Sequence, residues 1–468
     1  MAAVTVRGLS VDPLASLMAP SESETPEERD KRILREEEAR NISNIIDEEL
    51  NRERKVPKPV KILLLGKSES GKSTTLKMFQ LMHSPKVFAN ERASWRAIIY
   101  LNIVRSLHLI MDAMAQAPMK DDLLQDGDGT TVQEFPGLSQ EHLMLKRRLS
   151  PLVQVESALI RRLSPVQHGE REPDESEESP CGASLKEVAV NAAAQWKECF
   201  RSLAGSGRIL KNELDWDDPN DPGRLLHCCS GDMIKLWKDP SIQQLLKKLE
   251  IHMENHAGFF LNALERVTAP GYLPTDDDIL RARLKTLGVS EHRFRVNSGV
   301  GLVKDWRVYD VGGQRCQSAA WVPYFDDVDA IIFLAPISAF DQMLEEDPKV
   351  NRLLDSFQLW SSLVANELLS DTKIILFLNK YDIFKAKIEA GVRLADYVTS
   401  YKERPNDVPS TSEYLKRKFA MLMKTHSIKP RIFHCHFTTV TDTTSTTYIL
   451  GHLQNTLMHQ NLEDCSLT

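Results

Sequence analysis

Gly66-Lys67-Ser68-Glu69-Ser70-Gly71-Lys72-Ser73-Thr74 follows directly on the apolar run Val60-Lys61-Ile62-Leu63-Leu64-Leu65. The run reads as a buried strand, the glycine-spaced stretch as a tight loop, and "KSTTLKMFQLMH" as a helix opening at Lys72. Strand, G-x-x-x-x-G-K-S and helix in that order is the setting in which this pattern makes a phosphate loop. From Gly66 on, the backbone can curve around an anion. The N–H groups from Glu69 through Ser70 to Thr74 and the positive end of the helix are expected to cradle phosphates. Lys72 is expected to neutralise their charge and Ser73 to hold Mg2+. Lys67 and Ser68 stand where such loops keep their smallest residues, yet neither removes a group that binding needs.

Two further motifs follow in order. Asp310-Val311-Gly312-Gly313-Gln314 ends a strand far along the chain. It supplies a carboxylate to order Mg2+ through water, a glycine to meet the γ-phosphate and an amide to position attacking water. Asn379-Lys380-Tyr381-Asp382 follows the apolar strand Lys373–Leu378. Asp382 can accept hydrogen bonds from the N1–H and exocyclic amine of guanine, which adenine does not offer, and the Lys380 stem can lie along the base. A phosphate-loop ATPase is thereby disfavoured.

Composition bounds the rest. The chain has 468 residues, of which 42% are hydrophobic, and a formal net charge of -7, so nothing global points to nucleic acid. The seven cysteines lack a CxxC spacing, which argues against a disulfide framework or a zinc site; His434 and His436 read as ordinary strand residues. No stretch is expected to span a membrane, and Ala2 stands where myristoylation needs glycine, so membrane contact is expected to be peripheral at most. Residues 1–25 are expected to be disordered and residues 26–56 to form an amphipathic helix with Ile42, Ile45, Ile46 and Leu50 along one stripe. Residues 57–84 and 276–468 read as an α/β unit with a mostly parallel sheet, interrupted by an all-α insertion at 85–275. Within it, residues 117–183 read as loosely ordered, with one helix around Glu141–Leu163. The repeated Arg-Arg-Leu-Ser-Pro at Arg147 and Arg161 reads as two helix ends punctuated by proline, in preference to kinase sites at Ser150 and Ser164.

With these motifs in place, "YLPTDDDILRARLKTLG" (272–288) and the C-terminal "QNLEDCSLT" carry a resemblance. The chain resembles the alpha subunits of heterotrimeric G proteins, over about residues 40–110 and 230–468. The resemblance implies a Ras-like P-loop GTPase domain with an inserted helical domain, binding GTP with Mg2+ and hydrolysing it to GDP. It implies a cytoplasmic switch at the inner face of the plasma membrane. The implied partners are a beta-gamma dimer, a seven-helix receptor through the C-terminal tail, and an effector. Arg283 resembles the built-in arginine finger and Thr286 the second Mg2+ ligand, with Gln314 and Lys72 completing the catalytic set. Leu280, Arg281 and Ala282 would line the nucleotide beside Arg283, and Glu69 would face Arg283 across it. Asn255 and His256 would flank the ribose, and the Val440 N–H would meet the guanine O6.

Several residues depart from the family pattern. Ser68 replaces a glycine beside the γ-phosphate, where a hydroxymethyl group would crowd Gln314. This supports an alternative, a GTP-binding interaction module with little intrinsic hydrolysis. Thr439 and Val440 replace a usual Cys and Ala. The run Arg315-Cys316-Gln317-Ser318-Ala319-Ala320-Trp321 keeps the tryptophan, but Ser318 cannot make the charged contact to Asp355 that locks an activated second switch. Ala319 and Ala320 lose stems that usually touch the beta subunit. Cys465 resembles a toxin-modified tail cysteine, with Ser466 in place of the usual glycine.

Overall fold

A computed structural model describes residues 25–55, 58–116, 138–163, 189–191, 221–249, 251, 253, 258–287, 289–297, 303–313, 321, 324–325, 327–344, 347–439 and 442–451. The chain forms two compact units, Met1–Lys58 and Pro59–Thr468. Among its described residues the first holds one helix, α1 (Pro26–Lys55), built mainly from strong helix formers. Ile42, Ile45 and Ile46 are exposed along it.

The second unit carries β1 (Val60–Leu65), β2 (Ala189–Asn191), β3 (Lys285–Leu287), β4 (Val289–Asn297), β5 (Val303–Val311), β6 (Ala330–Pro336), β7 (Lys373–Asn379) and β8 (His434–Thr438). Six of these form one sheet in the order β4-β5-β1-β6-β7-β8. All neighbours pair in parallel except β4 and β5, which are antiparallel. Leu63, Leu65, Ile331, Phe333 and Leu376 face one apolar layer with Trp360 and Phe419. Ile62, Leu64, Ile332, Leu334 and Phe377 face another with Met78, Phe79 and Trp306. Burial on both faces is why β1, β6 and β7 are nearly unbroken apolar runs.

Between β1 and β3 the chain forms α2 (Lys72–His83), α3 (Trp95–Ala115), α4 (Gln140–Arg148), α5 (Leu152–Leu163), α6 (Pro222–Lys238) and α7 (Pro240–Lys248). Ile98, Leu107, Leu145, Leu152, Leu159, Leu226, Trp237 and Leu245, drawn from α3 to α7, share one separate core. The helices α3 to α7 are the inserted helical part of a Ras-like fold. Three expectations are corrected here. The single helix around Glu141–Leu163 is two, α4 and α5, because Pro151 has no N–H to continue the first and favours the start of the second. Leu145, Leu149, Leu152, Val155, Leu159 and Leu163 are all buried along this pair; and the insertion is not all-α, since β2 lies within 85–275 and pairs in parallel with β3. Finally, Arg92–Ala115 is by length and composition apolar enough to cross a membrane, with a mean hydropathy of 1.3, but 67% of that window is buried. It is apolar on most sides because it is the central helix of the core.

The remaining long elements are α8 (Asp276–Arg281), α9 (Arg352–Val364), α10 (Tyr381–Glu389) and α11 (Val408–His426). Parallel pairing sets the carboxyl ends of β1, β5 and β7 on one edge of the sheet, where ligands of such sheets bind. The phosphate loop, the Asp310 motif and the Asn379 motif all leave from that edge.

Candidate functional site

The phosphate loop is shaped by two glycines. Gly66 has φ 150° and Gly71 φ 104°. A Cβ on Gly66 would lie 2.5 Å from the Leu334 carbonyl, and one on Gly71 would strike the Asn379 amide. Glu69 takes the left-handed conformation, φ 60°, a strained position for a side chain-bearing residue. Lys72 Nζ donates to the carbonyls of Gly66 at 2.8 Å and Lys67 at 2.9 Å. Burial lowers the Lys72 pKa to about 8, opposed by Asp310 and helped by Lys67. The buried Ser70 hydroxyl has no hydrogen-bond partner among the described residues. Such a cradle, narrow where Cβ atoms are absent and lined by an unsatisfied hydroxyl, fits a polyphosphate.

At the head of α2 the Ser73 hydroxyl donates to Asp310 Oδ2 at 2.7 Å, and Asp310 is 2% exposed. A hydroxyl and a carboxylate in contact form a hard oxygen set of the kind Mg2+ takes. Thr286 lies in β3, paired with Val190 of β2.

Arg283 is held at both ends. Its N–H donates to Asn102 Oδ1 at 2.8 Å, and Asn102 Nδ2 donates to its carbonyl at 2.9 Å. Its guanidinium pairs with Glu69 Oε1. Arg352 of α9 takes the other Glu69 oxygen at 2.9 Å and also donates to the Ser68 carbonyl at 3.3 Å. Lys67 Nζ lies 3.1 Å from Asp355 Oδ2. The approach to Arg283 is fixed from below by Lys77 of α2, which donates to the carbonyls of Ile279 at 2.9 Å and Ala282 at 2.6 Å. It also lies 4.4 Å from the centre of the Trp95 ring. Thr275 caps α8 by a reciprocal pair of bonds with Asp278. Asp278 further accepts from both Arg266 nitrogens at 2.8 and 2.7 Å and from Tyr272 at 2.9 Å. Burial alone would raise the Asp278 pKa, but these hydrogen bonds outweigh it and hold the carboxyl far below the usual range. Leu280 and Ala282 are buried, whereas Arg281 is exposed and pairs with Asp277 at 3.2 Å.

Gly313 presses on the loop. A Cβ there would lie 2.5 Å from Lys72 Nζ and 2.7 Å from both Lys67 C and Ser68 N. Beside it, and next to Val311, the Gly312 carbonyl accepts from Trp321 Nε1 at 3.1 Å.

The third motif is tied to the first. Asn379 Nδ2 donates to the Ser70 carbonyl at 2.7 Å, and its Oδ1 accepts from the Thr438 hydroxyl at 3.1 Å. Lys380 caps α10 in the left-handed conformation, φ 58°, and burial lowers its pKa. The Thr439 hydroxyl donates to Asp382 Oδ1 and accepts from the Asp382 N–H, both at 3.3 Å. The Thr439 carbonyl accepts from the Asp442 N–H at 2.7 Å and the Thr446 hydroxyl at 3.2 Å.

The described structure thus gathers Glu69, Lys72, Ser73, Arg283, Asp310, Gly313 and Asn379 at one sheet edge, with Asp382 held from the end of β8. Asn255, His256, Gln314, Val440, residues 315–320 and Cys465 lie outside the described residues, as do residues 1–24, Ser164 and the rest of 117–183 apart from 138–163. Sequence reasoning missed Asn102, Lys77, Arg352 and Thr438. Only Asn102 carried a visible signal, a lone amide amid the apolar "IIYLNIVRSLHLI", since a buried amide needs partners.

The family model for the G-protein alpha subunit matches residues 38–457, and the chain belongs to that family. The match spans residues 110–230 as well, which the resemblance read from the motifs left out. The chain is 28% identical to the guanine nucleotide-binding protein alpha-4 subunit of Mycosarcoma maydis, over 97% of this chain and 95% of that protein. It is 29% identical to a guanine nucleotide-binding protein subunit alpha of Coprinellus congregatus, over 92% of this chain and 97% of that one. It is also 29% identical to the guanine nucleotide-binding protein G(o) subunit alpha of Geodia cydonium, over 95% and 98%. This is a guanine nucleotide-binding signalling subunit. Members of the family are in general Mg2+-dependent GTPases, cytoplasmic and membrane-associated, that partner beta-gamma dimers and receptors.

Proposed function

We propose that this chain is a signalling switch that binds GTP with Mg2+ and hydrolyses it to GDP and phosphate with its own arginine. The observation that supports this most is the double hold on Arg283, by main chain to Asn102 and by guanidinium to the phosphate-loop residue Glu69. It sets a fixed positive charge beside the loop before any chemistry begins, which is how electrostatic preorganisation lowers a barrier. In this reading the loop from Gly66 to Thr74 binds the phosphates through its N–H groups, and Lys72 takes charge on the β- and γ-oxygens. Ser73, Thr286 and, through water, Asp310 would hold Mg2+, and the ion would neutralise phosphate charge. Gln314 orients a water in line with the γ-phosphorus. As that water's oxygen bonds to phosphorus, the bond to the β–γ bridging oxygen breaks, GDP leaves and the protons pass to inorganic phosphate. Arg283 stabilises the charge spread over the transferring group. Asp382 reads guanine, and Leu280, Arg281, Ala282, Val311, Gly312, Asn255, His256 and Val440 complete the nucleotide surround.

The proposed division places the GTPase domain at 57–84 and 276–468 and the helical domain at 85–275. The proposed partners are a beta-gamma dimer along α1, a seven-helix receptor at the C-terminal tail and an effector, at the inner face of the plasma membrane. A second reading, tight GTP binding with little hydrolysis, is favoured by Ser68 itself, whose hydroxymethyl group stands on the stretch of loop backbone against which Gly313 packs too closely for a Cβ. Single-turnover GTP hydrolysis by the purified Mg2+-loaded protein separates the two. A rate on the order of 10⁻² s⁻¹, the general figure for this class, supports the first. Tight GTP binding with a rate orders of magnitude lower refutes it in favour of the second.

A further inference from the structure

Three consecutive phosphate-loop residues are gripped by one helix. Lys67 pairs with Asp355 at 3.1 Å. The Ser68 carbonyl and the Glu69 carboxylate both take Arg352. Arg352 and Asp355 are three apart on α9 and so face the same way. The signs alternate: acid on the helix meets base on the loop, and base on the helix meets acid on the loop. A slip of the loop against the helix would oppose like charges. Asp355 also lies in the first turn of α9, where the helix dipole favours a carboxylate. The Lys67 and Asp355 side chains are only 15% and 3% exposed, a depth at which either charge alone is strongly disfavoured.

We propose that Lys67 and Asp355 form a tether that fastens the phosphate loop to α9, using the carboxylate that the resemblance assigns to the second switch. That switch carries Ser318 where a cation would be needed, and Lys67 supplies the cation from the loop itself. Lys67 is then a positioning residue and not a phosphate ligand. What it positions is the Lys67–Ser68 peptide, against which Gly313 lies with no space for a Cβ. A shift of a few tenths of an ångström there moves the glycine whose N–H meets the γ-phosphate, and with it the start of the second switch. The loop's extra charge, unusual at that place, is accounted for by this role.

The inference rests on the nucleotide-switch reading, and its test is a double-mutant cycle. Lys67→Met, Asp355→Asn and the double variant are compared in single-turnover hydrolysis and in release of a fluorescent GDP analogue, with Lys67→Arg as the charge-keeping control. The tether predicts that each single change slows hydrolysis by about tenfold, that the double is no worse than the poorer single, and that Lys67→Arg stays near the parent. GDP release changes much less than hydrolysis. Losses that multiply in the double overturn the proposal. So does a Lys67→Met effect confined to nucleotide release, which marks a phosphate ligand. If the parent binds nucleotide without hydrolysing it, or binds none, the switch reading fails on its own, and the cycle is then read in thermal unfolding of the nucleotide-free protein. Non-additive losses there support the tether, and additive ones overturn it. Should Lys67→Met fail to fold, Lys67→Gln carries the same cycle.

Discussion

Asn102→Ala removes both hydrogen bonds on the main chain of Arg283, at 2.8 and 2.9 Å. Water is poorly placed to replace them. Asn102 is 8% exposed, and the Gly258 backbone closes the site, its missing Cβ lying 2.8 Å from Asn102 Oδ1. Each stranded main-chain group costs about 1–3 kcal/mol, while the better helix propensity of alanine returns about 0.5 kcal/mol. The expected net loss is about 2–5 kcal/mol, read as a lower urea midpoint at unchanged slope. For activity the consequence is displacement of the Arg283 side chain, and an ångström of misplacement costs about a hundredfold in rate. GTP hydrolysis should therefore fall by about 10- to 100-fold, with GDP affinity little changed, since the groups assigned to phosphate and base lie elsewhere. Asn102→Asp keeps the acceptor for the N–H but sets a carboxylate against the Arg283 carbonyl, and should be as damaging as alanine. A stability loss without a hydrolysis loss would refute the reasoning, because Glu69 alone would then be holding the arginine.

Other consequences concern pH, the base and the metal. The folded-state pKa of Asp278 lies below its unfolded value, so its contribution to stability is full above about pH 4 and is lost as pH falls through the folded value. Asp278→Asn should lower stability at pH 7 and flatten its decline in acid, measured by urea unfolding at stepped pH; an unchanged acid limb would contradict this. Thr439→Val removes the hydroxyl that orients Asp382 and should speed GDP release by about 3- to 10-fold, the effect of roughly one hydrogen bond, in a fluorescent-GDP displacement assay. Chelating Mg2+ should accelerate nucleotide release, and Ser73→Ala should behave without chelator as the parent does with it; a variant still sensitive to chelation at the parent's level would count against Ser73 as a ligand.

Much of the fold was legible because the sheet is covered on both sides. Unbroken apolar runs such as Ile374 to Leu378 can only be buried strands or helix segments, and their length and flanking loops decide between these. The phosphate loop was legible for a local reason, since its glycines, lysine and serine act within one turn of chain. The hold on Arg283 was not. Asn102 lies 181 residues from it, and Arg352 lies 283 from Glu69, so no periodicity or spacing joins them. Lys67 shows the same limit from the other side: its unusual charge was visible, while its partner Asp355 emerged only once α9 was placed against the loop. The stretch around Pro151 erred differently: its helical pattern was legible, but the break at Pro151 that divides it into two helices was read through.

Thr439 has a mechanical consequence. Its hydroxyl is engaged with Asp382, and its carbonyl with Asp442 and Thr446. One residue is thus a shared rivet between Asp382 and the last described helical stretch, residues 442–451. Traction applied to that stretch would reach Asp382 through Thr439. If Asp382 reads guanine as proposed, leverage on residues 442–451 would loosen that grip from a distance.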